Sequence, residues 1–189
     1  MNQDFHIEQG VLTAYTGRDE FVTVPDWVHT IGEGAFKACV SLKRVVLPDH
    51  LHHIQASAFK GCRKLRDIQI PAEVSTIGDY AFHRCHSLES VTLPSSVREL
   101  GACAFLYCDS LTHVSIPGVV RIGTQAFVND VLLQSLEISP DLQEDLICDV
   151  FTGCGGISRI SFSDGRQFPF PNAVEAVAGQ MELPSLVRA

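Results

Sequence analysis

Phenylalanine recurs along this chain at a nearly constant spacing, and that spacing constrains the fold more than any other feature of the sequence. The recurring residues are Phe36, Phe59, Phe82, Phe105, Phe127 and Phe151. A period of about 23 residues is typical of repeat proteins, in which one supersecondary unit stacks on copies of itself. The sequence therefore predicts a solenoid.

The residues around each phenylalanine repeat with it. The next three units align without a gap to the first, which reads Val24-Pro25, Val28, Ile31-Gly32, Ala35-Phe36, Cys39, Leu42 and Val45. The fifth and sixth copies are less regular, and Asp130 stands where the fifth cysteine is expected. The array thus contains about six copies, of which the last two are degraded.

Each unit contains one strand-like string that ends at a proline, as in Leu42 to Pro48 and Leu65 to Pro71. Alternating apolar residues indicate a strand with one buried face. Proline ends the strand because it has no amide hydrogen for a further ladder bond. The Ile-Gly pair predicts a turn or a short second strand, and the Ala-Phe-x-x-Cys string predicts a short helical turn on the back of each coil.

The units resemble the BspA-type leucine-rich repeat, with its pattern I-P-x-x-V-x-x-I-G-x-x-A-F-x-x-C-x-x-L-x-x-V, over roughly residues 21–162. The resemblance implies an α/β solenoid, a right-handed leucine-rich repeat superhelix with a parallel sheet of short strands. It also implies a binding role, often at bacterial surfaces, and no catalytic residue.

Three segments are expected on this basis. Residues 1–20 form an N-terminal β-hairpin cap that turns at Gln9-Gly10, because glycine tolerates positive φ. Residues 21–162 form about six leucine-rich repeats. Residues 163–189 form a C-terminal cap or tail that is partly helical or disordered, with a short helix beginning after Asn172.

Composition agrees with a folded chain in water. Hydrophobic residues make up 46% of the sequence and the net charge is -8. No apolar run approaches the roughly 18 residues of a membrane span, so membrane insertion is not expected. The N-terminal residues lack the basic and apolar stretches of a secretion signal, which predicts a cytoplasmic protein. The alternative is a cell-surface or secreted protein whose targeting segment is missing from this sequence.

The cysteines follow the same period as the phenylalanines. Five of them lie three residues after a repeat phenylalanine, or at the equivalent place: Cys39, Cys62, Cys85, Cys108 and Cys154. Stacking predicts a buried column of reduced thiols, which behave as small apolar side chains. No close C-x-x-C pair is present, so the signal of a zinc site is absent.

The histidines do not form a recognisable metal-binding pattern. His29 and His52 differ by one period, but no third ligand of fixed spacing accompanies them. We expect them to lie in solvated loops, and we expect His83 and His86 to face solvent. The sequence therefore predicts neither a metal nor a cofactor.

Two surfaces are candidate binding sites. The first is the outward side of the strands, with Arg44, Asp67, Gln69, Thr92, His113, Glu137 and Arg159. Solenoid surfaces often bind extended partners, and arginine is frequent in binding hot spots. The second is a back-face patch, in which apolar residues replace the polar or small residues of earlier copies, with Leu106, Tyr107 and Val128.

These features predict a non-catalytic protein-interaction module whose protein partner is unknown, with a second copy of the chain as one candidate. An enzyme is not expected, because no Ser-His-Asp arrangement, phosphate loop or paired carboxylate site emerges from the register. The acidic charge balance argues against nucleic-acid binding. The alternative is a structural or self-assembling element, since basic side chains crowd the early repeats and acidic ones the late repeats.

Overall fold

A computed structural model describes residues 3–142, 150–165 and 167–169 of the chain. It forms a β-solenoid of about six turns, as the period predicts. The predicted helix after Asn172 lies outside the described residues.

Each coil contributes strands to two columns. The first strand column contains β3 (Phe21–Thr23), β5 (Arg44–Val46), β7 (Asp67–Ile68), β9 (Ser90–Thr92), β11 (His113–Ile116), β13 (Ser135–Ile138) and β14 (Arg159–Phe162). The second strand column contains β2 (Val11–Tyr15), β4 (Thr30–Ile31), β6 (His53–Ile54), β8 (Thr76–Ile77), β10 (Glu99–Leu100) and β12 (Arg121–Ile122). The isoleucine of the Ile-Gly pair therefore ends a short second strand, and the glycine follows that strand. A short second strand is one of the two structures that the pattern predicts.

Neighbouring strands of both columns are parallel. In the first column the order is β3-β5-β7 in one sheet and β9-β11-β13-β14 in another. The two sheets adjoin, because the N–H of Glu89 donates to the carbonyl of Arg66 at 3.3 Å. The second column is one sheet, in which Ile31, Ile54 and Ile77 are aligned across successive strands. The predicted parallel pairing is confirmed.

Antiparallel strands close two ends of these sheets. At the N-terminal end β1 (Phe5–Glu8) pairs with β2 and extends the second column. The two strands turn at Gln9 and Gly10, which have φ of 47° and 76°, as expected for a tight hairpin. At the other end β15 (Gln167–Pro169) pairs with β14 in the first column.

A column of stacked aromatic rings occupies the centre of the core. Consecutive repeat phenylalanines have ring centroids 5.0 to 5.4 Å apart and nearly parallel planes. Tyr15 and Phe5 extend the column at the N-terminal end, at 5.3 and 5.1 Å. A single coil cannot bury its own apolar face, and stacking gives each ring within the column two partners.

The prediction of short helical turns on the back is wrong. In the described residues the back of each coil contains turns and no helix. Every second amide, at Gly34, Phe36 and Ala38, donates to a carbonyl of the next coil at 2.8 to 3.0 Å. The amides between them donate to carbonyls three residues earlier. The back is therefore a ladder between coils, and its backbone polar groups find partners without a helix.

The backbone angles explain why a helix cannot form. On the back of the first five coils, two residues in each coil have positive φ. They are Gly34 and Ala38, Ser57 and Gly61, Tyr80 and Arg84, Cys103 and Tyr107, and Gln125 and Asn129. A residue at positive φ interrupts a right-handed helix. Apolar residues three and four apart suggested a helix, but the neighbouring coil decides where the amides donate.

No helix in the part of the chain that the structure describes has the length and hydrophobicity of a transmembrane span.

The aromatic column yields a test of the stacking. Phe82 is fully buried between Phe59 and Phe105, so we expect Phe82→Ala to lower the free energy of unfolding by about 3–5 kcal/mol. Urea denaturation followed by circular dichroism measures the change. The control is Phe21→Ala, whose side chain is 68% exposed and whose effect is expected to stay within about 0.5 kcal/mol. Equal losses in the two variants would contradict the stacked core.

Candidate functional site

The structure brings the predicted strand-face residues onto one surface. Arg44 aligns with Asp67 in neighbouring strands, and His113 aligns through Ser135 with Arg159. A second row contains Thr92 and Glu137, which align through Ser115. Gln69 follows the end of β7 and is exposed. We call this outward side of the first strand column the strand face.

A groove with a volume of about 280 Å³ lies at the early end of the strand face. Arg44, Asp67 and Gln69 line it together with Val46, which is 53% exposed. The guanidinium of Arg44 lies 3.0 Å from the carboxylate of Asp67, and both side chains are about half exposed. An exposed pair of this kind is weak, because water and salt screen it. A partner can therefore replace either charge at little cost.

The predicted residues at the late end of the strand face are polar. The hydroxyl of Ser115 donates to the carboxylate of Glu137 at 2.6 Å. His113 shares a hydrogen bond of 2.7 Å with the hydroxyl of Thr112, and Arg159 is exposed. The two ends of the face thus differ in chemistry.

Two exposed aromatic residues of the first coil were missed by the sequence reasoning. Phe21 aligns with Arg44 at the start of the first strand column and is 68% exposed. Trp27 lies in the loop that follows β3 and is 60% exposed. Subtracting one period from Arg44 and from His50 finds both positions. Exposed aromatic side chains are characteristic of binding hot spots.

The back-face patch is partly exposed, as its sequence pattern predicts. Leu106 and Val128 are half-buried and Tyr107 is exposed, and the N–H of Tyr107 donates to the carbonyl of Val128 at 3.2 Å. Val131 and Leu132, which the sequence reasoning missed, add exposed apolar surface in the fifth coil. The apolar patch therefore extends over two coils.

Aromatic rings and cations adjoin the back-face patch. The ring of Tyr107 lies 6.1 Å from that of His83, which lies 5.6 Å from that of Tyr80. The ammonium of Lys60 lies over Tyr80 at 4.7 Å, and the guanidinium of Arg84 is 5.9 Å from the ring of Tyr107. These contacts join three successive coils through cation–π pairs.

The prediction that His83 faces solvent is wrong. Its side chain is 8% exposed, and neither ring nitrogen has a hydrogen-bond partner among the described residues. Burial, followed by the charges of Lys60, Arg84 and His86, lowers the pKa of His83 to about 4. His86 lies at the surface, 2.7 Å from the carboxylate of Asp109. His83 is buried because aromatic residues of its own and the next coil cover it, and single-unit reasoning does not show them.

The cysteine column is confirmed as a row of free thiols. Four thiols donate to the carbonyl of the repeat phenylalanine in the preceding coil at 2.8 to 3.3 Å, those of Cys62, Cys85, Cys108 and Cys154. Burial raises the pKa of these thiols above the usual value, with the contact to Cys39 the first cause at Cys62. Cys39, at the start of the column, is half-buried. A buried neutral thiol is unreactive, so the buried thiols of the column are structural.

Asp130 replaces a cysteine in this column and is completely buried. One carboxyl oxygen accepts the N–H of Cys108 at 2.8 Å, and the other has no partner among the described residues. Burial raises the pKa of Asp130 to about 9. The side chain is thus a neutral carboxylic acid at pH 7, because ionisation would leave an uncompensated charge in the core.

The histidines of the early coils do not form a metal centre. The ring of His29 lies 3.1 Å from the carbonyl of Gln9, and His50 and His52 lie 3.4 and 3.6 Å from the carboxylate of Glu73. The described residues contain no group of three side chains that could hold a metal ion.

Asp130 gives the first test of these side chains. We expect Asp130→Cys to raise the free energy of unfolding at pH 7.5 by about 1–3 kcal/mol, because it removes a buried oxygen without a partner and restores the thiol column. Urea denaturation measures the change. Asp49→Asn, at an exposed carboxylate, is the control. Lower stability of the Asp130→Cys variant would contradict the unfavourable burial.

The sign of the pH dependence follows from the same residue. The folded-state pKa of Asp130 is about 9 and the unfolded value is about 3.9. Between these values the folded chain retains a proton that the unfolded chain has lost, so stability falls as pH rises. We expect the parent to lose up to about 1.4 kcal/mol per unit between pH 7 and 8 relative to Asp130→Cys.

His83 gives a test with the opposite sign. Its folded-state pKa of about 4 lies below the unfolded value of about 6.5, so its contribution to stability is lost as pH falls between them. We expect His83→Leu, which copies Leu106 of the next coil, to gain stability relative to the parent as pH falls from 7 to 4.5. Urea midpoints at several pH values measure this difference. A difference that does not change with pH would contradict the burial of a neutral imidazole.

Comparisons with known proteins agree with this geometry. A family model described as the BspA type leucine rich repeat region matches residues 14–134 in six copies. The solved structure of a T. pallidum leucine-rich repeat protein is similar to this chain, with 30% identity, a TM-score of 0.79, and coverage of 85% of this chain and 80% of that one. No curated protein matches the chain in sequence.

Two further structures are similar in fold. A leucine-rich repeat protein from Bacteroides ovatus is 26% identical with a TM-score of 0.64, covering 85% of this chain and 44% of that one. A leucine rich cell surface protein from Faecalibacterium prausnitzii is 24% identical with a TM-score of 0.68, covering 92% of this chain and 64% of that one. The six matched copies, the stacked phenylalanines and the parallel columns lead to one conclusion: the chain belongs to the BspA-type leucine-rich repeat family.

Proposed function

We propose that the protein is a non-catalytic binding module and that a protein partner docks on the strand face. The observation that carries this proposal is the groove that Arg44, Asp67 and Gln69 line together with the exposed side chain of Val46. A groove lined by apolar and polar side chains that include an arginine has the composition of a protein-binding hot spot. The rows of polar residues beyond it extend the surface along the solenoid.

A rigid surface favours binding over catalysis. The strand-face side chains lie on strands of parallel sheets that the stacked coils hold in place, so a partner meets a preorganised surface and loses little entropy in ordering it. The side chains with strongly raised or lowered pKa values, such as Asp130 and His83, lie in the core or beside the back-face patch. They are explained by burial, and none of them lines the groove.

The cellular location is also a proposal. We propose a cytoplasmic protein, with a cell-surface or secreted protein as the alternative. Fractionation of the source cells, followed by detection of the protein with an antibody, separates the two.

The binding proposal is tested by affinity capture from extracts of the source cells. We expect the parent to capture a partner, and the double variant Arg44→Ser with Gln69→Ser to lose at least about tenfold in affinity, equivalent to about 1.4 kcal/mol. Arg98→Ser is the matched control, because it removes an exposed guanidinium beside the second strand column. Affinity of the purified partner for each variant is measured by calorimetry.

Other outcomes of the capture point elsewhere. Equal affinity of the parent and the double variant would move the site away from the groove, and Leu106→Ser with Val128→Ser then tests the back-face patch. Capture of the protein alone, with a sedimentation coefficient that rises with concentration, would favour the self-assembling element and contradict the proposal.

A further inference from the structure

The first strand column has an open edge at its N-terminal end. Strand β3 pairs with β5 and with no other strand in the described residues. The hairpin of β1 and β2 covers the neighbouring column, since β2 pairs with β4. At the opposite end of the first column β15 pairs with β14. In the described residues the β3 end of the first strand column therefore has no further strand paired to it, unlike the β14 end.

The backbone groups at this edge can be identified from the bonds on the other side of the strand. The carbonyl of Glu20 accepts the N–H of Arg44 at 3.1 Å, and the N–H of Val24 donates to the carbonyl of Val46 at 3.0 Å. Alternate residues of a strand direct their backbone groups to opposite sides. The N–H and C=O groups of Phe21 and Thr23 therefore point away from β5, toward the open edge.

Later coils show what these groups bind when a strand precedes them. Arg44 occupies the place of Phe21 one coil later, and its N–H donates to the preceding coil. The amides of Ser135 and Arg159 also donate to carbonyls of the preceding coil, at 3.2 and 3.1 Å. A row of unpaired strand amides is a template for an added strand. In the described residues no strand precedes β3 in the first strand column, whereas each later strand of that column follows one from the preceding coil.

The side chains around the edge indicate what kind of strand fits. Phe21 and Trp27 expose aromatic surface, which attracts apolar side chains and cations. Asp19, Glu20 and Asp26 are exposed acidic residues in the same segment, and they outnumber its one exposed basic residue, Arg18. The carboxylate of Glu20 is paired with Lys43 at 2.7 Å, so Asp19 and Asp26 carry most of the negative charge. The edge thus favours a segment that alternates apolar and basic side chains.

We propose that an extended segment of another protein, with alternating apolar and basic residues, adds as a strand to the open edge of β3. This inference rests on the proposed binding function and assigns it a second mode, through backbone hydrogen bonds in place of strand-face side chains. A second copy of the chain is a poorer occupant. Two β3 edges in contact would bring the acidic segments together, and like charges across strands are destabilising.

The test uses a synthetic heptapeptide, acetylated and amidated, that alternates lysine and valine. Trp27 is the single tryptophan of the chain, so its fluorescence reports binding near the edge. Amide hydrogen exchange measured by NMR reports the hydrogen bonds. We expect exchange at Phe21 and Thr23 to be fast in the free protein and to slow at least tenfold with saturating peptide.

Variants of the protein separate edge pairing from contact with side chains. Thr23→Pro removes an N–H that points away from β5, so the existing ladder stays intact while peptide affinity falls at least tenfold. Thr23→Ser is the matched control and keeps the N–H. Should Thr23→Pro fail to fold, the peptide carries the change: N-methylation of the amides in one alternating set blocks pairing, and in the other set leaves it intact.

Each other outcome overturns the proposal. These outcomes are no binding up to about 1 mM peptide, binding without protection of Phe21 and Thr23, or equal binding by Thr23→Pro. Protection without peptide would assign the edge to a second copy if it grows with protein concentration, and to this chain itself if it does not.

The two binding proposals can fail separately. If Arg44→Ser with Gln69→Ser weakens the captured partner while the edge amides stay unprotected by the peptide, the strand-face function stands and the edge proposal falls. If the peptide protects the edge and the strand-face variants retain the partner, the reverse holds.

Discussion

Stacking between neighbouring coils supports every other feature of this protein. The phenylalanine rings lie 5.0 to 5.4 Å apart through the whole array, and no coil has enough apolar surface to fold without its neighbours. The backbone follows the same rule on the back, where every second amide donates to the next coil. The strand face is rigid because these two ladders hold each strand in register. Its side chains are therefore placed by contacts that lie elsewhere in the coil.

Departures from the repeat account for most of the chemistry in the core. Asp130 replaces a thiol and places a protonated acid in an otherwise apolar column. His83 occupies a position that holds lysine or leucine in neighbouring coils, and the aromatic rings of Tyr80 and Tyr107 enclose it. Each substitution changes the interaction between one coil and the next. Their effects on stability consequently have opposite signs with pH, because one group is buried as an acid and the other as a base.

Much of this fold is predictable from the sequence, because the repeat itself encodes it. The period fixes the stacking of the phenylalanines and cysteines, and the alternation of apolar residues places Arg44, Asp67 and His113 on the outward side of the strands. The Gln9-Gly10 turn is local and therefore also predictable.

The errors have a common cause, which is the contribution of the neighbouring coil. The pattern of a single unit predicts a helical turn around Phe36, but every second amide of this segment donates to a carbonyl of another coil. The sequence of its own unit predicts an exposed His83, but in the structure the ring of Tyr107 in the next coil covers it. The omission of Phe21 is separate: the predicted strand-face row starts at Arg44, one coil after Phe21. Which side chains bind a partner is not encoded in the period, since outward positions do not affect stacking.

The ladder on the back has a consequence for how the molecule can change in length. In the described residues the backbone hydrogen bonds of this ladder join each coil to its immediate neighbours. A whole unit can therefore be duplicated or deleted while the remaining units keep their partners, and the array grows or shrinks in steps of about 4.8 Å. The different lengths of similar proteins, such as the Bacteroides ovatus chain of which the match covers 44%, are compatible with such steps. The length of a solenoid of this kind is therefore set by the number of its coils.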